Sequence, residues 1–414
     1  MGNIHEIAMR ILVIDSKDGS PPNIRIMNYF KSFKMKFRHS ILILSFPDPK
    51  IEGSKVNNDS INIIKLPIVN FSSNRLKNFF FRYIIYVRIL NKIIRVYKPH
   101  IIFVSDFPNI YLTYIFFLKA ISKLKCKLVA EWYDKNTLSN YDKIFNRKSF
   151  LSNLASIINE YFGMFSYDYI LYSSEDFKSI FKSFKLKKIN GIKVIPPVDS
   201  TQLRPYPKSV SREFINSMLG NRIFSEKDDY ILFFMGGNFD YYFQLKSIIL
   251  LRKYLDKNIN IVIKSPKNDP KIEKLKAYFP DNLVLIDKYI DKKIMPYFIS
   301  SFNLAIYISD KRILNENFRY PHRMLECLAC GLPIVMIGNV GELARTIANY
   351  KCGIVLDKED YKEAAKIISE ILKDKEKLNL FSYNARNFAE NVSMESTSKF
   401  LNSFFKIIIN EKSF

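Results

Sequence analysis

Thirteen short apolar runs, bounded by Pro, Gly, Asp or Ser, punctuate this chain and constrain its fold more than any other feature. In the first half they are Met9–Ile14, Ser40–Phe46, Ile61–Leu66, His100–Ser105, Lys127–Trp132, Tyr169–Ser173 and Ile192–Ile195. Runs this short and this continuously apolar read as strands buried on both faces. Longer helical stretches lie between them, at Ile24–Phe37, Arg75–Tyr97, Ile110–Leu124, Phe150–Phe165 and Glu175–Phe184. Strand–helix alternation predicts an α/β fold with a doubly wound parallel sheet. The pattern pauses over 200–229, where Pro205, Pro207 and many charges stand. It restarts with Tyr230–Met235, Asn260–Lys264, Leu283–Asp287, Leu304–Ile308, Pro333–Ile337 and Gly353–Leu356.

The expected organisation is a first domain at 1–205, a linker at 206–229 and a second domain at 230–381. A helical tail at 382–414 is expected to cross back toward the first domain. At 414 residues the chain is long enough for two cores. Two tandem units of this kind would leave a cleft facing the carboxyl ends of both sheets.

The net charge of +24 favours anionic partners, whether nucleic acid, phosphorylated substrates or acidic lipid headgroups. A nucleic-acid role is not expected, because the lysines are dispersed and no helix-turn-helix, finger or RNP-type signature is present. Four cysteines, at 126, 327, 330 and 352, are too sparse for a disulfide framework and suit a reducing compartment. Cys327 and Cys330 have no second Cys or His pair at ligand spacing, so neither metal nor cofactor is expected. The first residues lack a basic segment followed by a long apolar stretch, and no run of about 18 uncharged apolar residues follows anywhere. The expected location is therefore cytoplasmic, soluble or peripheral on the inner face of the membrane.

The densest chemistry lies at 317–335. Pro321 suits the first position of a helix, and Gly331 suits its left-handed end. Tyr320 has no short side-chain acceptor with which to cap that helix. The free amides and dipole of such a terminus attract an anion, and Arg319 and Arg323 add charge beside them. Glu326 stands inside the helix. Its carboxylate can accept from two vicinal hydroxyls of a ribose, or it can form an ordinary surface pair with Arg323.

The stretch Leu325-Glu326-Cys327-Leu328-Ala329-Cys330-Gly331-Leu332-Pro333-Ile334-Val335 resembles the group-1 GT-B glycosyltransferase motif L-E-A-x-A-C-G-x-P-V-V. Three further stretches resemble that family in the expected order. They are Tyr167–Ser174 with Lys193–Asp199, Ile231–Gly237, and Leu283–Asp287 with Met295–Phe298 and Asn303–Ile306. The resemblance implies a GT-B fold, two Rossmann-like domains, and transfer of a sugar from a nucleotide-diphosphate donor with retention and without metal. It assigns Glu326 to the donor ribose, with Arg323, Asn317, Phe318, Gly236 and Gly237 completing the donor site.

This chain departs from the family pattern in places. The family's first acid, eight positions before Glu326, is Phe318 here, and Glu316 lies two residues off register. Either Glu316 substitutes, or backbone amides of 317–319 contact the sugar. The basic residues that follow the family's opening glycines are absent, so Lys264 is the expected replacement, acting with Arg319 and Glu316 at the reacting centre. Gly19, Arg25, Asp106, Trp132 and Asp134 are the expected acceptor contacts, with Trp132 either stacking on a sugar or packed in the core. The expected acceptor is a glycan or lipid-linked hydroxyl. Asn74–Arg95 mixes aromatics with cations as an interfacial helix does, and a core helix with cationic edges fits it equally. A catalytically silent partner subunit of the same fold remains an alternative.

Overall fold

The computed structural model describes residues 9–15, 30, 40–45, 62–65, 75–105, 118, 124–132, 167–179, 190–220, 223–225, 227–234, 241–265, 282–286, 288–309, 316–318, 320–357 and 360–410. The chain divides into two compact units. One comprises residues 1–197 with 394–414, and the other residues 198–393.

The first unit is built on β1 (Arg10–Asp15), β2 (Ser40–Ser45), β3 (Asn62–Lys65), β4 (Ile101–Val104), β5 (Lys127–Trp132), β6 (Tyr169–Tyr172) and β7 (Asn190–Lys193). All pair in parallel, in the order β3-β2-β1-β4-β5-β6-β7. Helix α1 (Arg75–Tyr97) connects β3 to β4 and buries Tyr86 and Leu90, one turn apart.

The second unit begins with α2 (Lys208–Leu219) and β8 (Asp229–Phe234). It continues through α3 (Tyr241–Tyr254), β9 (Ile259–Lys264), β10 (Leu283–Ile286), α4 (Met295–Ser300) and β11 (Leu304–Ile308). Then come α5 (His322–Ala329), β12 (Ile334–Ile337), α6 (Gly341–Tyr350), β13 (Gly353–Leu356), α7 (Tyr361–Lys373) and α8 (Lys375–Asn391). Its sheet is parallel in the order β10-β9-β8-β11-β12-β13, the doubly wound arrangement repeated.

Each core follows from the apolar runs. In the first unit Val13, Phe103, Val129 and Leu171 meet Leu401, Phe404, Phe405 and Ile408 of α9 (Met394–Asn410). Phe103 and Phe405 meet edge to face at 6.3 Å, and Tyr169 and Phe404 do so at 5.3 Å. In the second, Phe233, Ile263, Ile306 and Val335 meet Leu245 and Ile248 of α3 and Ile368 and Ile371 of α7. Burying each of these side chains contributes about 1.5–3 kcal/mol.

Two expectations about organisation need correction. The stretch expected as a linker holds helix α2, which opens after Pro207 and stops at Gly220 (φ 70). Its Arg212, 6% exposed, donates to Ser301 O, Ser225 O and Asn303 Oδ1 at 2.8–3.0 Å. A polar residue buried with all its partners carries no apolar signal, which is why the helix escapes a pattern reading. The tail also divides later than expected: α8 belongs to the second unit and α9 to the first.

Candidate functional site

In the second sheet the strand order reverses between β8 and β11, and ligands of doubly wound sheets lie beyond the carboxyl ends of the strands at such a point. Four described elements converge there. Phe234 ends β8, and Lys264 pairs with it in register on β9. The guanidinium of Arg323 on α5 lies 5.7 Å from the Phe234 ring centroid. Tyr307, near the end of β11, donates to Glu316 Oε2 at 2.8 Å.

Helix α5 begins one residue later than the sequence suggests. Pro321 is its N-cap, in an extended conformation (φ −65, ψ 112), and no side chain caps the terminus. Its other end is closed tightly. Gly331 (φ 68) donates to Leu328 O at 3.0 Å, and Leu332 to Cys327 O at 2.9 Å, which is a Schellman closure. The open end is the one beside the end of β8, where Arg323 meets Phe234.

Glu326 lies one turn into α5 with its side chain 14% exposed. Its Oε2 accepts from Arg323 Nη1 at 2.7 Å, and His322 Nδ1 lies 3.4 Å from Oε1. Burial works against the charged form, but the His322 hydrogen bond and the Arg323 charge outweigh it, and the carboxyl is held down to about 2. The site therefore holds a carboxylate acceptor throughout the physiological range. Arg323 and His322 are 54% and 43% exposed, so the pair itself adds little stability.

The loop after β12 fixes the backbone around Glu316. A Cβ on Gly338 (φ 92) would come within 2.5 Å of Ser309 O, and one on Gly341 (φ 77) within 2.5 Å of Glu316 O. Only glycine permits that approach in that conformation. Glu316 is buried at 5% exposure and Phe318 at 9%, while Asn317 between them is exposed. The Phe318 ring is packed inward, so of the two alternatives expected for this segment only one that uses its backbone could involve Phe318. Lys264, at the edge of β9, donates from Nζ to Ser265 O at 2.6 Å.

In the first unit Trp132 ends β5 but is 1% exposed, with its ring 4.8 Å from Phe177. It packs in the core, the second of the two roles expected for it, and the acceptor contact is corrected accordingly. Gly19, Arg25, Asp106, Asp134, Gly236, Gly237 and Arg319 lie outside the described residues. Tyr307, His322, Gly338 and Gly341 were not among the expected contacts. For the two glycines the signal was in reach: Gly-Asn-Val-Gly follows a strand and opens a helix.

Cys327, Cys330 and Cys352 are buried, and burial raises all three thiols, which makes them packing groups rather than nucleophiles. Among the described residues no cluster of His, Cys, Asp or Glu could hold a metal ion.

Two parallel doubly wound units, the second with an uncapped helix and a carboxylate at its switch point, define an α/β architecture of the GT-B type. Residues 221–388, within the second unit, match the family "Glycosyl transferases group 1". Sucrose-phosphate synthase from Thermosynechococcus elongatus is similar over 97% of this chain and 99% of its own, with TM-score 0.72 and 13% identity. Anabaena Alr3699/HepE, solved with UDP-glucose, is similar over 96% of this chain and 100% of its own, with TM-score 0.69 and 12% identity. WaaG, a glycosyltransferase involved in lipopolysaccharide biosynthesis, is similar over 96% and 99%, with TM-score 0.62 and 15% identity. At such identities the likeness is one of fold. No curated protein matches the chain in sequence.

Proposed function

We propose that the protein transfers a sugar from a nucleotide-diphosphate donor to a hydroxyl acceptor, with the donor held at the N-terminus of α5. The observation that carries this reading is Glu326: a largely buried carboxylate, kept ionised, one turn inside an uncapped helix at the switch point. In this reading Glu326 accepts from the two ribose hydroxyls, and the open amides of α5 meet the diphosphate with Arg323, Arg319 and Lys264 beside them. Gly236 and Gly237, after β8, let the backbone approach the donor. Backbone groups of 317–318 contact the sugar, with Glu316 set behind them by Tyr307. Charge on the departing diphosphate is met by helix dipole and cations in place of a metal, and retention is what the resemblance to the group-1 family implies. The UDP-glucose bound to Alr3699/HepE supports the donor class.

The acceptor is read as a glycan or lipid-linked hydroxyl, contacted from the first unit by Gly19, Arg25, Asp106 and Asp134. The role of WaaG in lipopolysaccharide synthesis supports that class. Peripheral attachment to anionic lipid, on the cytoplasmic face, is supported by one face of α1. There Phe81, Arg88, Lys92, Arg95 and Val96 are exposed, opposite Tyr86 and Leu90. Among the described residues no helix is long and apolar enough to cross a membrane. Pelleting with anionic but not neutral vesicles is expected; failure to pellet with either removes the attachment.

A thermal-shift panel of UDP, ADP, GDP and their sugars tests the donor site. One nucleotide is expected to stabilise the wild type and to lose that effect in Glu326→Ala. Equal stabilisation of both proteins would sink the reading. A second reading, binding without turnover, is favoured by the burial of Glu316 and its hydrogen bond to Tyr307. It predicts a nucleotide hit with neither transfer nor donor hydrolysis.

A further inference from the structure

Helix α5 has eight residues and is about 12 Å long. An element so short moves as a unit, so whatever grips its far end sets the position of its open end. The helix's apolar face is buried through Met324, Leu325, Cys327 and Leu328, and its last carbonyl is gripped by one side chain. Arg386, on α8, is 23% exposed. Its Nη1 donates to Ala329 O at 2.7 Å, in the last turn of α5, and to Leu203 O at 2.8 Å. Its Nη2 donates to Ser200 O at 2.9 Å, and its Nε to Glu390 Oε1 at 2.8 Å. One guanidinium thus joins α5, α8 and the 200–203 segment. A Cβ on Gly331 would rest 3.5 Å from Ser382 O and 3.7 Å from Pro205 Cβ, so the same two segments also touch the helix stop.

We infer that Arg386 is a positioning residue for the donor site, holding α5 along its axis so that Glu326 and the amides of His322 and Arg323 meet the nucleotide in register. The inference rests on the donor reading above. Arginine suits the task because its planar fork serves several carbonyls at once and remains charged. Its charge also complements the negative end of the α5 dipole. Lysine can reach one or two of these oxygens but cannot span all three segments.

The test is the dissociation constant of whichever of UDP, ADP and GDP binds the wild type. It is measured calorimetrically on Arg386→Ala, Arg386→Lys, Glu390→Ala and Glu326→Ala, at a temperature where each is folded by circular dichroism. Arg386→Ala is expected to bind about tenfold more weakly, and Arg386→Lys to recover part of the loss. Glu390→Ala, which removes the exposed ion pair but leaves the three carbonyl bonds, is expected to bind within about twofold of wild type. A purely structural Arg386 would lower the melting temperature and leave the affinity of the folded protein unchanged, and that result overturns the inference. Should Arg386→Ala fail to fold, wild-type affinity in Arg386→Lys overturns it instead. If Glu326→Ala also binds as wild type does, or no nucleotide binds at all, the donor reading falls with it. If Glu326→Ala alone loses binding, only the role of Arg386 falls.

Discussion

Helices α5 and α7 stand in the same unit and begin in opposite ways. Helix α7 follows β13, the outermost strand, and is closed by Asp360, whose side chain accepts from the amides of Lys362 and Glu363 at 3.0 and 3.1 Å. Helix α8 is closed in the same way by Asp374. Helices α5 and α6, on either side of β12, open on Pro321 and Val340 with no side-chain cap. A cap contributes about 1 kcal/mol and occupies the amides that an anion would use. Helices α2 and α4 also open without a side-chain cap, so what sets α5 apart is an uncapped terminus beside the switch point with Glu326 one turn inside it, where binding can replace the cap.

The contrast can be broken at four places, from the largest expected effect to the smallest. Gly341→Ala puts a Cβ against Glu316 O in a left-handed conformation, and a loss of about 2–3 kcal/mol in denaturant unfolding is expected. An unchanged midpoint would mean that the loop is looser than the geometry implies. Pro321→Asp supplies the missing cap. Nucleotide affinity is expected to fall about tenfold, with the melting temperature held or raised, because an added carboxylate competes for the amides and repels the diphosphate. Affinity at the wild-type level would show that those amides are not the anion site. Asp360→Ala removes a cap at the sheet's edge. It is expected to cost about 1 kcal/mol and to leave nucleotide binding untouched; a loss of binding would erase the distinction between the two kinds of terminus.

The smallest effect concerns pH. The carboxyl of Glu326 is held below its unfolded value, so its contribution to stability is complete above about pH 4.5 and is lost as pH falls toward about 2. The difference in unfolding free energy between wild type and Glu326→Gln is expected to shrink across that window. It should amount to no more than about 1 kcal/mol, because both partners reach solvent. A difference that stays constant from pH 7 to pH 3 would contradict the assigned pair.

Much of the fold was legible in the sequence because parallel strands buried on both faces leave an unmistakable trace. Each of the thirteen apolar runs coincides with a strand to within a residue or two. The Gly331 stop was equally readable, since few other residues adopt its positive φ without strain. Helix α2 was hidden because its buried face includes Ser211 and Arg212, and two prolines in the preceding segment suggest a break. Pro207 and Gly220, standing at its two ends, were nonetheless the correct start and stop signals.

The candidate site divides along the same line. The sequence by itself determined which residues are present: a helix with no capping side chain, an internal carboxylate, and cations one turn away. Those are local properties, set by neighbours three or four positions apart. Only the tertiary structure decided that Trp132 is core, that the Phe318 ring turns inward, and that Tyr307 meets Glu316. It alone placed Arg386, nearly sixty residues beyond α5, on that helix's last carbonyl. Hydrogen bonds and packing between segments distant in the chain leave no periodicity in either partner, so they arise only when the sheets and helices have assembled.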